Sequence, residues 1–224
     1  MSKKVTIILP TYNEEENIAK IENQLRKLEG DFDVIFSDGF STDKTYELIT
    51  YPKIQEAKYR AFQMNAAAKY AKTEYLWFVH VDSILHPKSV LAIEDSGYEI
   101  GCFRLKFDKD TFALRLNSYF TTAFRLRLQK LAFGDQGIFI RRDLFKSMGG
   151  YKEIPLMEDY QLSVDINKMG KKIELIDLPI ITSARRFEKG AFRTYLKMQK
   201  LQWKYRHGRD IFDIHKEYES YDGK

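Results

Sequence analysis

The feature that most constrains this chain is a rhythm: short apolar or β-branched runs, each closed by a polar cluster and followed by a helical pattern. Val5 to Leu9 is the first such run, closed by Pro10. A strand with no polar face must be covered on both sides, as strands of a parallel sheet are. A helix is expected next. Asn13 can cap it with Glu16 three residues on, and Ile18, Ile21, Leu25 and Leu28 make one stripe before Gly30. Val34 to Ser37 predicts a second strand, and Ser41 or Thr42 begins a helix that reaches Ile49. Ile54 to Lys58 predicts a third strand, Arg60 to Ala71 an alanine-rich helix, and Tyr75 to Val81 a fourth strand. Such alternation predicts an α/β fold with a Rossmann-like, mostly parallel sheet, helices on both faces, and ligands at the carboxyl ends of the strands.

The second half mixes its elements. Tyr98 to Phe107 predicts a strand, Phe112 to Leu131 a long aromatic helix, and Gly137 to Arg141 another strand. Glu158 to Met169 predicts a helix, Lys172 to Ile176 and Ile180 to Ser183 two strands, and Gly190 to His207 a basic terminal helix. With no repeat and no Pro/Gly/Ser-rich linker, the 224 residues are expected to share one domain. Its parts are a first, regularly alternating half to about residue 97, a second, mixed half to about 189, and a basic helix and tail thereafter.

Cys102 is the one cysteine, so no disulfide framework or cysteine metal cage is available, and a cytoplasmic location is expected. VTIIL is too short for a signal peptide, and no apolar run approaches the roughly 18 residues of a membrane span. The net charge of +5 is uneven: Ser183 to Arg209 holds nine Lys or Arg against one acid, Glu188, with Phe187, Phe192, Tyr195, Trp203 and Tyr205 among them. A basic aromatic helix suits an anionic membrane surface, a phosphorylated ligand or nucleic acid, or forms a solvated face. No nucleic-acid module is recognisable. Peripheral contact with the inner face of a membrane is the favoured use, and it would fit a lipid-linked acceptor.

Four polar clusters close the four strands: PTYNEEE, SDGFSTDKT, RAFQMN and HVDS. In a parallel sheet such ends converge. Pro10 to Glu14 offers backbone amides, a ring and a carboxylate; Asp38 offers an acceptor for a base N–H; Arg60 and Gln63 share a helical face. Each cluster taken alone is also explained by helix caps and turns, with Asn13 and Asp43 capping and Asp38–Gly39 turning.

In order along the chain, PTYNEEENI, DGFSTDKT, RAFQMNAAA, HVDSILHP, GDQGIFIRRDLF, GGY and PLMEDYQLS resemble the family 2 glycosyltransferases of GT-A fold. A short bacterial subgroup with GDQ and a SARRF-like segment is the nearest in pattern. The resemblance implies that Pro10, Thr11, Tyr12, Asn13 and Glu14 cradle a nucleotide, that Asp38 contacts its base, and that Arg60, Gln63 and Asn65 lie beside the diphosphate. It implies that Asp82 binds a divalent metal, Mg²⁺ or Mn²⁺, and that Asp159, with Glu158 beside it, is the base that deprotonates an acceptor hydroxyl.

The chemistry these roles require is general. A hard cation bridging diphosphate oxygens to Asp82 makes the nucleotide a better leaving group. Arg185 and Arg186 can add charge-assisted hydrogen bonds. Asp159 in the first turn of a helix is expected to be kept ionised by the helix dipole and ready to take the acceptor's proton, and a single attack by the acceptor hydroxyl from the opposite face of the sugar carbon predicts inversion. Asp135 and Gln136 are placed to hold hydroxyls. Phe40 stands where the family often has a second glycine, Ala67 replaces another, and His80 replaces the first aspartate of the usual DXD. His80 reads as a metal ligand, a hydrogen-bonding neighbour of ribose or diphosphate, or a packed strand-end histidine. The alternatives to an inverting transferase are a non-catalytic nucleotide-sugar-binding module of the same fold and a membrane-surface binding protein. The acceptor and oligomeric state are left open.

Overall fold

The computed structural model of the protein describes residues 4–108, 126, 130–182 and 191–222. Seven strands form one sheet: β1 (Val5–Thr11), β2 (Phe32–Asp38), β3 (Lys53–Gln55), β4 (Tyr75–Phe78), β5 (Ile100–Phe107), β6 (Phe139–Arg141) and β7 (Glu174–Thr182). Their order across the sheet is β3-β2-β1-β4-β6-β5-β7. The pairs β1–β2, β1–β4, β2–β3 and β5–β7 are parallel, and β6 alone among these seven runs against its neighbours β4 and β5. The fold is the expected mostly parallel α/β sheet.

Burial on both faces follows from the apolar runs. Every residue of β1 is buried. Ile7 and Leu9 of β1, with Trp77 of β4, face α1 (Glu15–Leu25) and α4 (Ser89–Ser96) through Ile18, Ile21, Leu25, Val90 and Ile93. Ile8, Leu76 and Phe78 point the other way. There they meet α3 (Arg60–Tyr70), α5 (Arg142–Ser147) and α6 (Glu158–Lys168) through Ala61, Met64, Ala67, Leu144, Phe145, Leu162 and Ile166. At about 1.5–3 kcal/mol per large apolar side chain buried, these two layers dominate the fold's stabilisation. A third cluster joins Leu131, Ile154, Met157 and Tyr160 to α7 (Ala191–Arg206) and α8 (Ile211–Asp222) through Leu201 and Ile214.

Several local expectations change. The helix after β2 is a single turn, α2 (Thr45–Leu48), and β3 lies earlier than Ile54 to Lys58. β4 stops at Phe78; the chain then turns, with Ser83 N–H donating to the His80 carbonyl. The two strands expected over Lys172 to Ile176 and Ile180 to Ser183 are one strand, β7, with a bulge: Phe103 faces Ile176 while Arg104 faces Pro179. Pro179 has no N–H for the ladder, which suits a break in register at that point. The helices α4, α5 and α8 were not expected. The long helix expected over Phe112 to Leu131 lies outside the described residues except for Leu126, Lys130 and Leu131, and the last two are not helical. Among the described residues, no helix is long and apolar enough to cross a membrane.

Candidate active site

The carboxyl ends of β1, β2, β3 and β4 lie side by side, and the loops that leave β1 and β2 are laced together. Asn13 N–H donates to Ser41 Oγ at 2.9 Å, and Thr42 N–H donates to Asn13 Oδ1 at 2.8 Å. Glu14 N–H donates to Thr45 Oγ1 at 2.6 Å and Glu15 N–H to Asp43 Oδ2 at 3.2 Å. Asn13, at φ 53°, spends its side chain across the loop, so it does not cap α1. Glu14 occupies the cap position without a side-chain cap bond. Pro10 and Thr11 are buried at the end of β1, and Tyr12 is half-buried with Lys58 Nζ 5.8 Å from its ring centre.

Asp38 is fully buried. Its Oδ1 accepts from Ser41 Oγ at 2.5 Å and Thr11 Oγ1 at 3.3 Å; its Oδ2 accepts from Ser41 N–H at 2.9 Å and Gln55 Nε2 at 3.4 Å. Both oxygens are thus engaged within the fold. Gln63 donates both amide hydrogens to main-chain carbonyls, of Thr11 at 2.6 Å and Ser37 at 2.7 Å, and so ties α3 to β1 and β2. Asn65 forms a two-way bridge with the main chain of Tyr151, at 2.9 Å in each direction. The geometry gives Gln63 and Asn65 holding roles in the described structure. Gly39 has room for no side chain, since a Cβ there would stand 2.8 Å from Lys58 Cα. Phe40 next to it adopts φ 58° with 59% of its surface exposed, the backbone state in which a glycine would be relaxed.

The second group of residues meets through the chain reversal. Because β6 runs against β4, the segment that precedes β6 arrives at the carboxyl end of β4. Gly134 begins a short 3₁₀ turn there (Gly134–Gln136). Its backbone is wedged between two candidate side chains: a Cβ on Gly134 would lie 2.8 Å from His80 Nε2 and 3.6 Å from Asp159 Oδ2. Gly134 N–H donates to Asp159 Oδ2 at 2.9 Å, and Asp159 Oδ1 accepts from Tyr160 N–H at 2.6 Å. Asp82 is exposed just past His80. Gln136 is buried and bonded internally, to Phe133 N–H and to Cys102 Sγ, while Asp135 is half-buried beside it. Arg185 and Arg186 lie outside the described residues.

Glu158 and Asp159 sit in the first turn of α6, where a helix dipole favours negative charge. Burial wins over it. Glu158 is pushed up to about 7 by burial and by the adjacent Asp159, against the pull of Arg60. Burial also raises Asp159, although the N–H groups of Gly134 and Tyr160 and the charge of Arg60 oppose it. Burial thus acts on Asp159 alongside the helix start that was expected to keep it ionised. Tyr151, buried beside the pair, has its phenol pushed well up by burial and by the two acids. Enclosure works against the charge on Arg60, but Glu158, Tyr218, Asp159 and Asp82 outweigh it and hold its pKa above the ordinary value. Arg60 thus lies within the field of Asp82 and the acid pair together.

Tyr218 belongs to α8, a helix the sequence pattern did not single out, and His215 of the same helix stacks edge-on against Tyr59 at 5.4 Å. Gly134 was visible only as the first letter of GDQ; its close approach needed the fold. Among the described residues, no group of three His, Cys, Asp or Glu side chains could hold a metal by itself. One exposed carboxylate at a strand end, with a histidine beside it, fits a hard cation only if substrate oxygens complete the shell.

The sequence profile of Glycosyl transferase family 2 matches residues 6–149, more than half of the chain. The chain belongs to glycosyl transferase family 2. The matched region contains the laced loops, α3, His80, Asp82 and Gly134, whereas Glu158, Asp159, α7 and α8 lie beyond it. No curated protein sequence matches the chain. Among solved structures, Staphylococcus aureus TarS 1–349 superposes with a TM-score of 0.63 at 20% identity, covering 81% of this chain and 60% of its own. The same TarS piece in complex with UDP gives 0.58 at 20% identity, over 80% and 60%. The mannosyltransferase PcManGT of Pyrobaculum calidifontis, in complex with GDP-Man and Mn²⁺, gives 0.65 at 18% identity, over 98% of this chain and 70% of its own. These likenesses show the GT-A fold of a family 2 chain that spans about 60% of the TarS piece.

Proposed function

We propose that this family 2 chain transfers a glycosyl group from a nucleotide-diphosphate sugar to an acceptor hydroxyl, with inversion at the sugar carbon and with Mg²⁺ or Mn²⁺ bound at Asp82. The observation that carries this reading is Gly134 held between His80 and Asp159, which brings the strand end bearing Asp82 against the acid pair. The laced loop from Pro10 to Glu14 offers a prebuilt wall for the nucleotide. Asp38 sets that wall, and accepts a base N–H only by giving up one of its internal donors. A cation at Asp82, with His80 beside it, would supply charge to the diphosphate oxygens and make them a better leaving group. Arg60 would add positive charge at the same oxygens, the role also proposed for Arg185 and Arg186.

Asp159 is the base in this proposal. Its two N–H partners orient the carboxylate, and burial moves its pKa toward neutrality, where a base accepts a proton more readily. Glu158, with a pKa of about 7, is partly protonated at neutral pH and so limits the repulsion Asp159 feels. Asp135 stands next to the site as a holder of hydroxyls, while Gln136 shapes the turn from within. The enzyme is proposed to act in the cytoplasm.

Isothermal calorimetry with UDP and GDP, each with and without Mn²⁺, tests the donor site; the expected result is binding strengthened by metal and weakened in Asp82→Asn. No binding to either nucleotide would refute the reading. Asp159→Asn should lose transfer while still binding donor. If donor is bound but never hydrolysed or transferred, the chain is a nucleotide-sugar-binding module instead.

A further inference from the structure

The helix α7 has two faces of opposite exposure. Leu201 and Gln202 are buried, and Met198 and Tyr205 pack into the third cluster. At 100° per residue, the opposite side is centred on Leu196, Lys200, Trp203 and His207. That outer side is not the polar face of an ordinary surface helix. Leu196 is 50% exposed, Trp203 54%, and Phe212, just past the turn at Gly208, 58%. The Trp203 ring stacks on His207 at 4.1 Å, and His207 Nδ1 lies 2.7 Å from the Trp203 carbonyl oxygen, so the indole is braced in its outward position.

The charges around it have one predominant sign. Lys200, Arg206, Arg209 and Lys216 are exposed, with Asp210 and Asp213 the acids among them, while Lys204 is turned to Glu217 inside the helical hairpin. Large apolar side chains set among cations are what an interfacial helix presents to lipid: the rings and the leucine enter the headgroup region, and the cations meet anionic headgroups. Nucleic acid would use the cations but leave Leu196 and Phe212 unexplained.

We propose that the outer face of α7, with Phe212, docks on an anionic lipid bilayer. The inner face of the same helix carries Tyr205, whose ring meets Tyr160 at 5.9 Å and whose hydroxyl donates to Gln161 at 2.7 Å, one and two residues from Asp159. Docking therefore fixes the height and tilt of the acid pair over the membrane. Resting on the transferase reading above, this favours an acceptor whose hydroxyl is presented at the bilayer surface; the docking itself does not depend on that reading.

The test is flotation of the full chain with vesicles of phosphatidylcholine, with and without phosphatidylglycerol. Binding is expected with phosphatidylglycerol only, weakening with salt by about fivefold for each surface cation screened. The double variant Leu196→Ser/Trp203→Ser should weaken binding by about tenfold or more. Leu48→Ser, which removes an exposed apolar side chain of α2, should leave it unchanged. Circular dichroism confirms that each variant is folded. Absence of binding to phosphatidylglycerol vesicles, or binding equal in the double variant, overturns the proposal. So does an oligonucleotide that displaces the vesicles and binds independently of Leu196 and Trp203, or a dimer in solution that the double variant dissociates. Nucleotide calorimetry on the same samples separates failure of docking from failure of the donor site.

Discussion

Replacing Gly134 by alanine tests the meeting of strand end and acid pair with a single methyl group. The added Cβ would lie 2.8 Å from His80 Nε2 and 3.2 Å from Cε1. Ordinary carbon contacts begin near 3.5 Å, so about 0.5–1 Å must be found by movement. Gly134 has no positive φ, so the cost is steric, not conformational. Overpacking of this kind costs about 1–3 kcal/mol, and retreat of the backbone would also weaken its hydrogen bond to a carboxylate, worth about 1.5–3 kcal/mol. Taking the overpacking cost alone, about 1–3 kcal/mol, and about 2–4 °C per kcal/mol for a chain of this size, the melting temperature should fall by roughly 2–12 °C. Transfer should fall more steeply, by about a hundredfold, because Asp159 loses its aim. Calorimetric melting and transfer from a labelled donor measure the two effects. In a His80→Ala background the methyl group has space, and the stability penalty should shrink to below about 0.5 kcal/mol. An unchanged melting temperature and rate, or the same penalty in both backgrounds, would refute the argument.

The acid pair makes stability depend on pH. Glu158 holds its proton in the folded state up to about 7 but ordinarily releases it near 4.5, so stability should fall as pH rises across that window and level off above it. The total is roughly 2–4 kcal/mol, and Glu158→Gln should remove most of the slope in urea titrations at pH 5 and pH 8. Asn65→Ala should cost about 2–4 kcal/mol in the same titrations, since it leaves both the N–H and the carbonyl of Tyr151 without their partner. Phe40→Gly should instead stabilise by about 0.5–1 kcal/mol, because relief of the left-handed backbone outweighs the added freedom of the unfolded chain. A lower melting temperature for that variant would show that the exposed ring holds the loop in place.

The buried strands and their polar ends were legible because parallel strands must be apolar on both faces, and VTIIL and YLWFV are short β-branched or aromatic runs, each followed by a polar cluster. The helix α1 was legible from its stripe, but its start was not. Asn13 looks like a cap in one dimension; in the fold, Thr42 competes for its side chain and wins. Gln63 and Asn65 carry the polar atoms of ligand-binding residues, yet their partners are main-chain groups 52 and 86 positions away, which spacing along a helix cannot reveal. The burial of Asp159 was not legible for a similar reason. Its position at a helix start is local, while the burial that outweighs it comes from segments far along the chain. Tyr218 and His215 had no legible signal, because only packing of α8 on α3 brings them to Arg60 and Tyr59.

The lacing of the two loops has a thermodynamic consequence. Asn13 with Ser41 and Thr42, Glu14 with Thr45, and Glu15 with Asp43 and Lys44 are joined across 28 to 31 positions of sequence. Ordering a free loop costs about 1–2 kcal/mol of entropy for each backbone residue fixed. Here that loss is taken during folding, so a ligand seated on these loops meets a surface already in place and keeps most of its contact energy as affinity. Whatever motion accompanies binding then falls to other parts of the chain, and the proposed donor end serves as the stationary jaw.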